Sequence, residues 1–377
     1  YEIWPRDWSS DVCSSDLALE MGIDIGGLDV CILVGYPGTM VTTWQRSGRV
    51  GRWGQDSLVL LVAQPDALDQ YFLKHPEEFF SRHFEAAVID PHNPYVVQAH
   101  LPCAAQELPL DKKTESVFDL AAYQGLITSL EKSRHLLRAA ASESWYAAAR
   151  FPQKEVNIRG IGQSFAIFKQ GSRRAIGSVD GHRALTECHP GAIYLHKATS
   201  FLVEKLDLER RHILVSQVDP QYFTRIQSEK ETEILEKFGS RQVAAFTVHW
   251  GRLKVTSHIQ AYEKRRLAGQ ELLGIVPLEL PPMIFETVGL WLEIPDALKE
   301  VVVEAKLHFM GGIHALEHAL ISMFPLFALA DRYDIGGISQ PLHPQLQQAA
   351  VFVYDGYPGG VGLAARGYEM IEPLLRK

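Results

Sequence analysis

The sequence predicts a multidomain chain that combines α/β and α+β architecture. Three observations carry that prediction. Two short, wholly apolar runs flank one helix's length of chain, the pattern of a parallel sheet with a right-handed crossover. Helical periodicity then holds from about Leu108 to Arg150, and from Val156 to Ile294 it gives way to short alternating runs rich in β-formers. At about 150 residues per domain, 377 residues suit two to three domains, and the pattern divides further, into four segments. They are a parallel α/β segment over 18–100, a small winged-helix-like module over 101–152, a β-barrel-like domain over 153–294 and a mixed α/β domain over 295–377.

The first seventeen residues fit none of these. Trp8 to Leu17 repeats Ser-Ser-Asp, has neither helical nor strand period, and leads abruptly into Ala18-Leu19-Glu20. Residues 1–17 read as a foreign segment, with the natural gene continuing upstream of Ala18. The first strand is Val30-Cys31-Ile32-Leu33-Val34, apolar throughout and so expected to be buried on both faces. A helix follows, capped by Thr42 or Thr43, and then a second strand, Leu58 to Ala63. A helix is expected from Asp66 to about Phe84, with Pro76 inside it, and Pro91, Pro94 and Pro102 mark a linker.

In the next segment Val117, Leu120 and Ala121, then Leu126, Ile127 and Leu130, recur at helical spacing, ending at Trp145-Tyr146. Alternating runs such as Ser164–Phe168, His212–Val218 and Leu253–Ile259 suit a barrel of short strands. After Pro295 a helical pattern runs through Glu304, Ile313, Leu320 and Phe324, and Val351-Phe352-Val353-Tyr354 gives a last strand.

Composition narrows the class. With 46% hydrophobic and 22% charged residues the chain can bury sizeable cores, which excludes disorder and collagen-like repeats. No apolar run approaches the roughly 18 residues that span a bilayer. The four cysteines, Cys13, Cys31, Cys103 and Cys188, form no CxxC pair, so a disulfide scaffold is not signalled and a reducing, cytoplasmic setting fits. A net charge of -8 argues against a surface coated in DNA-binding charge but leaves room for a local basic groove.

The sharpest motif is Gln45-Arg46-Ser47-Gly48-Arg49-Val50-Gly51-Arg52. On a continuous helix Gln45, Arg49 and Arg52 would share one face, with Gly48 and Gly51 allowing close approach of another surface. Guanidinium groups on a rigid element suit a triphosphate, because they match phosphate oxygens bidentately and keep their charge.

This motif resembles motif VI of the superfamily 2, DEAD/DEAH-box-like helicases, and Ala18-Leu19-Glu20-Met21-Gly22-Ile23-Asp24-Ile25-Gly26 resembles their motif V, in the family's order. The resemblance implies a partial second RecA-like domain over 18–100. It implies that Arg52 is the arginine finger, Arg49 a second γ-phosphate contact and Gln45 a nucleotide-site sensor. Arg46, Asp24 and Gly22 would belong to the ATP site and its coupling to DNA. The Ser/Thr-Asn that the family places before Ala18 is Asp16-Leu17 here. Further on, His189-Pro190-Gly191-Ala192, Asp331-Arg332-Tyr333-Asp334-Ile335-Gly336-Gly337 and Asp355-Gly356-Tyr357-Pro358-Gly359-Gly360 resemble the bacterial MrfA-type DNA repair helicases, which end in a zinc-binding domain. That family's first zinc cysteine falls at Ala330 here, and its cysteine cluster finds no counterpart, so the resemblance carries no zinc centre onto these residues.

His314-Ala315-Leu316-Glu317-His318 matches the His-x-x-Glu-His pattern of inverted zinc peptidases. Its apolar neighbours favour a packed helix with partly buried histidines, and no metal is assigned. For nucleic acid, Lys154, Arg159, Lys169, Arg173 and Arg174 against the single acid Glu155 give +4 over residues 151–174, with Phe165 and Phe168 interleaved. Such a patch can hold phosphates while rings stack on bases. The sequence therefore reads as the C-terminal portion of an ATP-dependent DNA helicase, probing single strands or junctions, 3′ to 5′ by analogy, with ATP and Mg²⁺ as its cofactors. No Walker A pattern occurs in the chain, so alone it should not hydrolyse ATP. The alternative is a non-enzymatic DNA- or protein-binding module with remnant helicase motifs, and a zinc peptidase would rest on His314–His318 alone.

Overall fold

The computed structural model describes residues 29–51, 54, 56–113, 115–139, 143–156, 164–331 and 334–376. Residues 1–17, Gly22, Asp24, Arg52 and Arg159 lie outside the described residues. The chain divides into two compact units. One comprises Tyr1–Asp90, Glu233–Leu253 and Glu286–Lys377, the other Pro91–Thr232 and Lys254–Phe285.

In the first unit β1 (Val30–Val34) and β2 (Leu58–Val62) pair in parallel, Val30 opposite Leu58 and Val34 opposite Val62. The expected burial on both faces is not met. Cys31 and Leu33 turn inward, and Leu61, opposite Leu33, is the partly covered residue of β2, while Val30, Ile32 and Val34 are exposed. Side chains alternate along a strand, and the described residues cover one face only. The crossover helix α1 (Met40–Ser47) starts earlier than the sequence suggests: Thr39 is its cap, accepting the Thr42 N–H at 3.1 Å. Where one helix was expected to run from Asp66, there are two, α2 (Ala67–Lys74) and α3 (Pro76–Ser81). Asp66 caps the first, and Pro76 opens the second at a position where its missing N–H costs nothing. Met40, Leu68, Tyr71 and Phe72 form their core with Leu326.

The second unit begins with α4 (Pro94–Glu107), where a linker was expected. Asn93 caps it, accepting the N–H groups of Tyr95 and Val96, Pro94 takes the first position, and Pro102 is buried inside the helix. Then come β3 (Leu110–Asp111), α5 (Gln124–Lys132), β4 (Leu136–Arg138) and β5 (Ser144–Ala147), the strands antiparallel in the order β3-β5-β4. Leu101, Leu110, Ile127, Leu136 and Trp145 pack their core. Val117, read as part of a helical stripe, is exposed outside any helix, so the helix is shorter than the pattern implied.

A five-stranded sheet follows, in the order β7-β6-β10-β9-β8, from β6 (Ser164–Lys169), β7 (Ala175–Asp180), β8 (Ile193–His196), β9 (Thr199–Asp207) and β10 (His212–Gln217). Within it β6 and β10 run parallel. The helix α6 (Gly181–Glu187) is capped by Asp180 and adds Ala184 to the core of Phe165, Ile167, Ile213 and Val215. The next strands are β11 (Tyr222–Val243), β12 (Phe246–Arg266), β13 (Leu272–Pro277) and β14 (Met283–Ile294), of which β11 and β12 run for 22 and 21 residues. The described strands of 153–294 belong to two sheets, one of five strands and one that also takes in two strands of the segment 295–377.

Back in the first unit, the single helix expected after Pro295 is two, α7 (Asp296–Glu304) and α8 (Phe309–Met323), separated by a turn in which Lys306 has φ +56. The strands β15 (Ile335–Gln340) and β16 (Ala349–Asp355) complete the sheet order β11-β12-β14-β16-β15. All seven residues of β16 are buried, and the helices α9 (Leu363–Glu369) and α10 (Ile371–Arg376) end the described chain. Val351, Val353, Leu290, Ile313, Leu320 and Phe324 share this core. On α8 the expected burial is inverted: Glu317 is buried, whereas His314 and His318 are exposed. Ile313, Glu317, Leu320 and Ile321 form the inward stripe at helical spacing, which leaves both histidines on its outer flank.

Candidate functional site

The loop from Gly35 to Thr39 leaves the carboxyl end of β1, the end at which parallel sheets form ligand crevices. Two carboxylates fix it. Asp69, buried in α2, accepts the Tyr36 N–H at 2.7 Å and the Gln64 N–H at 2.5 Å, so one side chain joins the segments that follow both strands. Glu85 accepts the Met40 N–H at 2.6 Å, satisfying an N–H at the start of α1, and the Tyr36 hydroxyl at 3.4 Å. Burial, then the charge of Glu85, pushes the Tyr36 phenol well above its usual range, so it stays protonated and able to donate. Sequence reading missed both acids. Asp69 carried a faint signal, a carboxylate among the apolar positions of α2, and Glu85 carried none.

From that braced start α1 runs back along β1. The guanidinium of Arg46 bears on Cys31, the second residue of β1, whose thiol is raised by burial and lowered by that charge. Gln45 is exposed on the same helix. The helix then stops: Gly48 is its cap and donates to the Trp44 carbonyl at 2.9 Å. The Arg49 N–H reaches the Arg46 carbonyl at 3.2 Å, and Gly51 turns with φ +67, a conformation that favours glycine. The expectation that Gln45 and Arg49 share one helical face is therefore corrected. The motif's glycines end the helix and shape the turn after it, so Arg49, half-buried, is presented from that turn. Arg52 lies outside the described residues.

The basic patch divides as well. Lys169 ends β6 and donates to Gln217 on β10 at 2.9 Å. Arg173 and Arg174 are exposed in the turn to β7, which is closed by reciprocal hydrogen bonds between Ser172 and Arg174. Phe165 belongs to the core, and Phe168 packs edge-on against His212, ring centres 4.7 Å apart, so the expected base-stacking rings are otherwise engaged.

A cysteine-type zinc centre does not fit the C-terminal segment. Among the described residues the cysteines are Cys31, Cys103 and Cys188, and Ala330 is packed into the core. No helix among the described residues is long and apolar enough to cross a membrane.

Three family profiles match in order along the chain. A helicase conserved C-terminal domain covers residues 6–54, the winged helix domain of ATP-dependent helicase HRQ1 covers 89–161, and the MrfA Zn-binding domain covers 316–377. The ATP-dependent helicase YprA of Bacillus subtilis is 33% identical over 95% of this chain and 47% of its own length. HRQ1 of Saccharomyces cerevisiae is 28% identical over 95% of this chain and 35% of its own. The crystal structure of DUF1998 helicase MrfA bound to DNA superposes with a TM-score of 0.60 at 30% identity, over 95% of this chain and 48% of that one. A second MrfA structure, with DNA and AMPPNP, gives 0.57 at 29% identity. The chain spans about half the length, or less, of these relatives. Helicase, winged-helix and MrfA-type segments follow one another along the chain, which is in these respects similar to the MrfA-type helicases of superfamily 2.

Proposed function

We propose that this chain forms the C-terminal portion of an ATP-dependent DNA helicase acting in DNA repair. What supports this best is the helicase profile over residues 6–54, which contains both the braced loop after β1 and the Gln45–Arg49 turn. In this reading ATP lies between the α/β segment and a first RecA-like domain of a longer gene product. Arg49 and Arg52 contact its γ-phosphate and stabilise the charge that develops there on hydrolysis. Gln45 senses the nucleotide, while Arg46, Asp24 and Gly22 link that site to DNA. Mg²⁺ bound with the nucleotide would supply neutralisation of phosphate charge there. Rigid placement of the arginines is the task of Asp69 and Glu85, which fix the start of the helix that carries Gln45 and Arg46. Opening and closing of the two domains would step the protein 3′ to 5′ along one strand. Arg159, Lys169, Arg173 and Arg174 would hold phosphates of that strand.

Two measurements on one preparation test the reading. The 377-residue chain should bind fluorescent single-stranded DNA with an affinity that falls as salt rises, and should hydrolyse no ATP. The longer gene product should show DNA-stimulated ATP hydrolysis. Salt-dependent binding with no hydrolysis by the longer product would select a DNA-binding module with remnant motifs.

A further inference from the structure

On the outward flank of α8, three side chains of metal-binding chemistry converge. His314, Glu317 and His318 sit at i, i+3 and i+4, and one ligand atom from each lies within 4.8 Å of the others. Nδ1 of His314 is 3.3 Å from Oε2 of Glu317, and the two imidazole rings are 4.5 Å apart at 81°. Donors on one tetrahedral zinc ion, with bonds of 2.0–2.1 Å, stand about 3.3 Å apart. The His314–Glu317 pair already has that spacing. The remaining adjustment is rotation of solvent-exposed imidazoles, and the His314 side chain is 57% exposed.

Glu317 gives the cluster its direction. Its side chain is 7% exposed and lies against β15, where Gly337 has no side chain; a Cβ there would come within 2.8 Å of Oε1. Its charge also helps to raise the phenol of buried Tyr354, after the larger effect of burial. A carboxylate so placed calls for a cation, because charge taken from water is stabilised by pairing. The imidazole that meets it is half in solvent, and a second stands one residue further along the same face. Two imidazoles and one carboxylate suit zinc, cobalt or nickel, whereas magnesium and calcium take oxygen donors.

We infer that His314, Glu317 and His318 bind one divalent transition-metal ion of the zinc type, with its remaining coordination open to solvent beside Ser339. Ser339 Oγ lies 3.3 Å from His314 Nδ1. This centre differs from the cysteine-based zinc centre that the family resemblance implies: the described part of the matching segment contains no cysteine, and His314 precedes that segment.

The test is metal content after equilibrium dialysis of the purified chain against micromolar Zn²⁺, with Co²⁺ substitution as a spectroscopic check. One equivalent of zinc, and visible d–d bands from cobalt, are the expected result. His314→Ala and His318→Ala should each weaken binding by at least about tenfold. Both residues are exposed, so circular dichroism should be unchanged, and Glu317→Gln should weaken binding without removing the histidines. His258→Ala, at an exposed histidine elsewhere, should leave uptake intact. Absence of stoichiometric zinc, or full retention in both histidine variants, would overturn the inference.

Discussion

Asp69 accepts the backbone N–H of Tyr36 at 2.7 Å across 33 residues of chain, and with its other oxygen it accepts that of Gln64. One buried side chain thus fixes the exits of both parallel strands. Asp69→Ala would leave two backbone donors unpaired at a cost of about 1–3 kcal/mol each. Urea unfolding should show a loss of about 2–6 kcal/mol, with Asp69→Asn, which keeps one acceptor oxygen, in between. A loss below about 0.5 kcal/mol in the alanine variant would show that the two exits hold without it.

Asp355 predicts a pH dependence. Burial raises its carboxyl from 3.8 to about 6, although the N–H groups of Val361, Gly362 and Ala364 pull in the opposite direction. The folded value lies above the unfolded one, so the folded state binds the proton more tightly. Its contribution is complete below about pH 4 and is lost as pH rises through 6, amounting to about 3 kcal/mol. Asp355→Asn should remove this slope between pH 4 and 7. Parallel stability curves for the two proteins would rule the assignment out.

Gly337→Ala should strain the packing of α8 on β15. The added carbon would meet Ile321 Cδ1 at 2.6 Å and Glu317 Cγ at 2.8 Å, in a part of the core where Ile321 is buried. Overpacking of this kind costs about 1–3 kcal/mol. A melting temperature unchanged from the parent would mean that the two elements separate freely.

The exposed arginines of the β6–β7 turn should act through charge alone. Arg173→Glu with Arg174→Glu should weaken DNA binding across sequences and lower the slope of log affinity against log salt by roughly 0.7 for each single-strand phosphate that is no longer neutralised. An unaltered slope would reduce the patch to a solvated face.

The sequence displayed the apolar strand runs, the helical stretches and the arginine motif, because periodicity and side-chain chemistry are local. It misplaced features that depend on backbone termination or on partners far along the chain. Pro76 reads as lying inside one helix and Pro94 as part of a linker, yet both open helices. Thr39 took the cap expected of Thr42 or Thr43, and Gly48 ended α1 before Arg49, so Gln45 and Arg49 do not share one helical face. The stacking role of Phe165 failed because only the folded sheet shows which side of β6 faces the core. Glu317 lay within a recognised pattern, but its inward orientation is set by the stripe from Ile313 to Ile321 and by the space that Gly337 leaves.

The central claim is that the Gln45–Arg52 segment completes an ATP site. DNA-stimulated ATP turnover by the longer gene product carrying Arg52→Ala tests it most directly. Turnover should fall by roughly 10³ to 10⁵, the usual worth of an arginine finger, with binding to single-stranded DNA retained. Turnover close to that of the parent would contradict the claim.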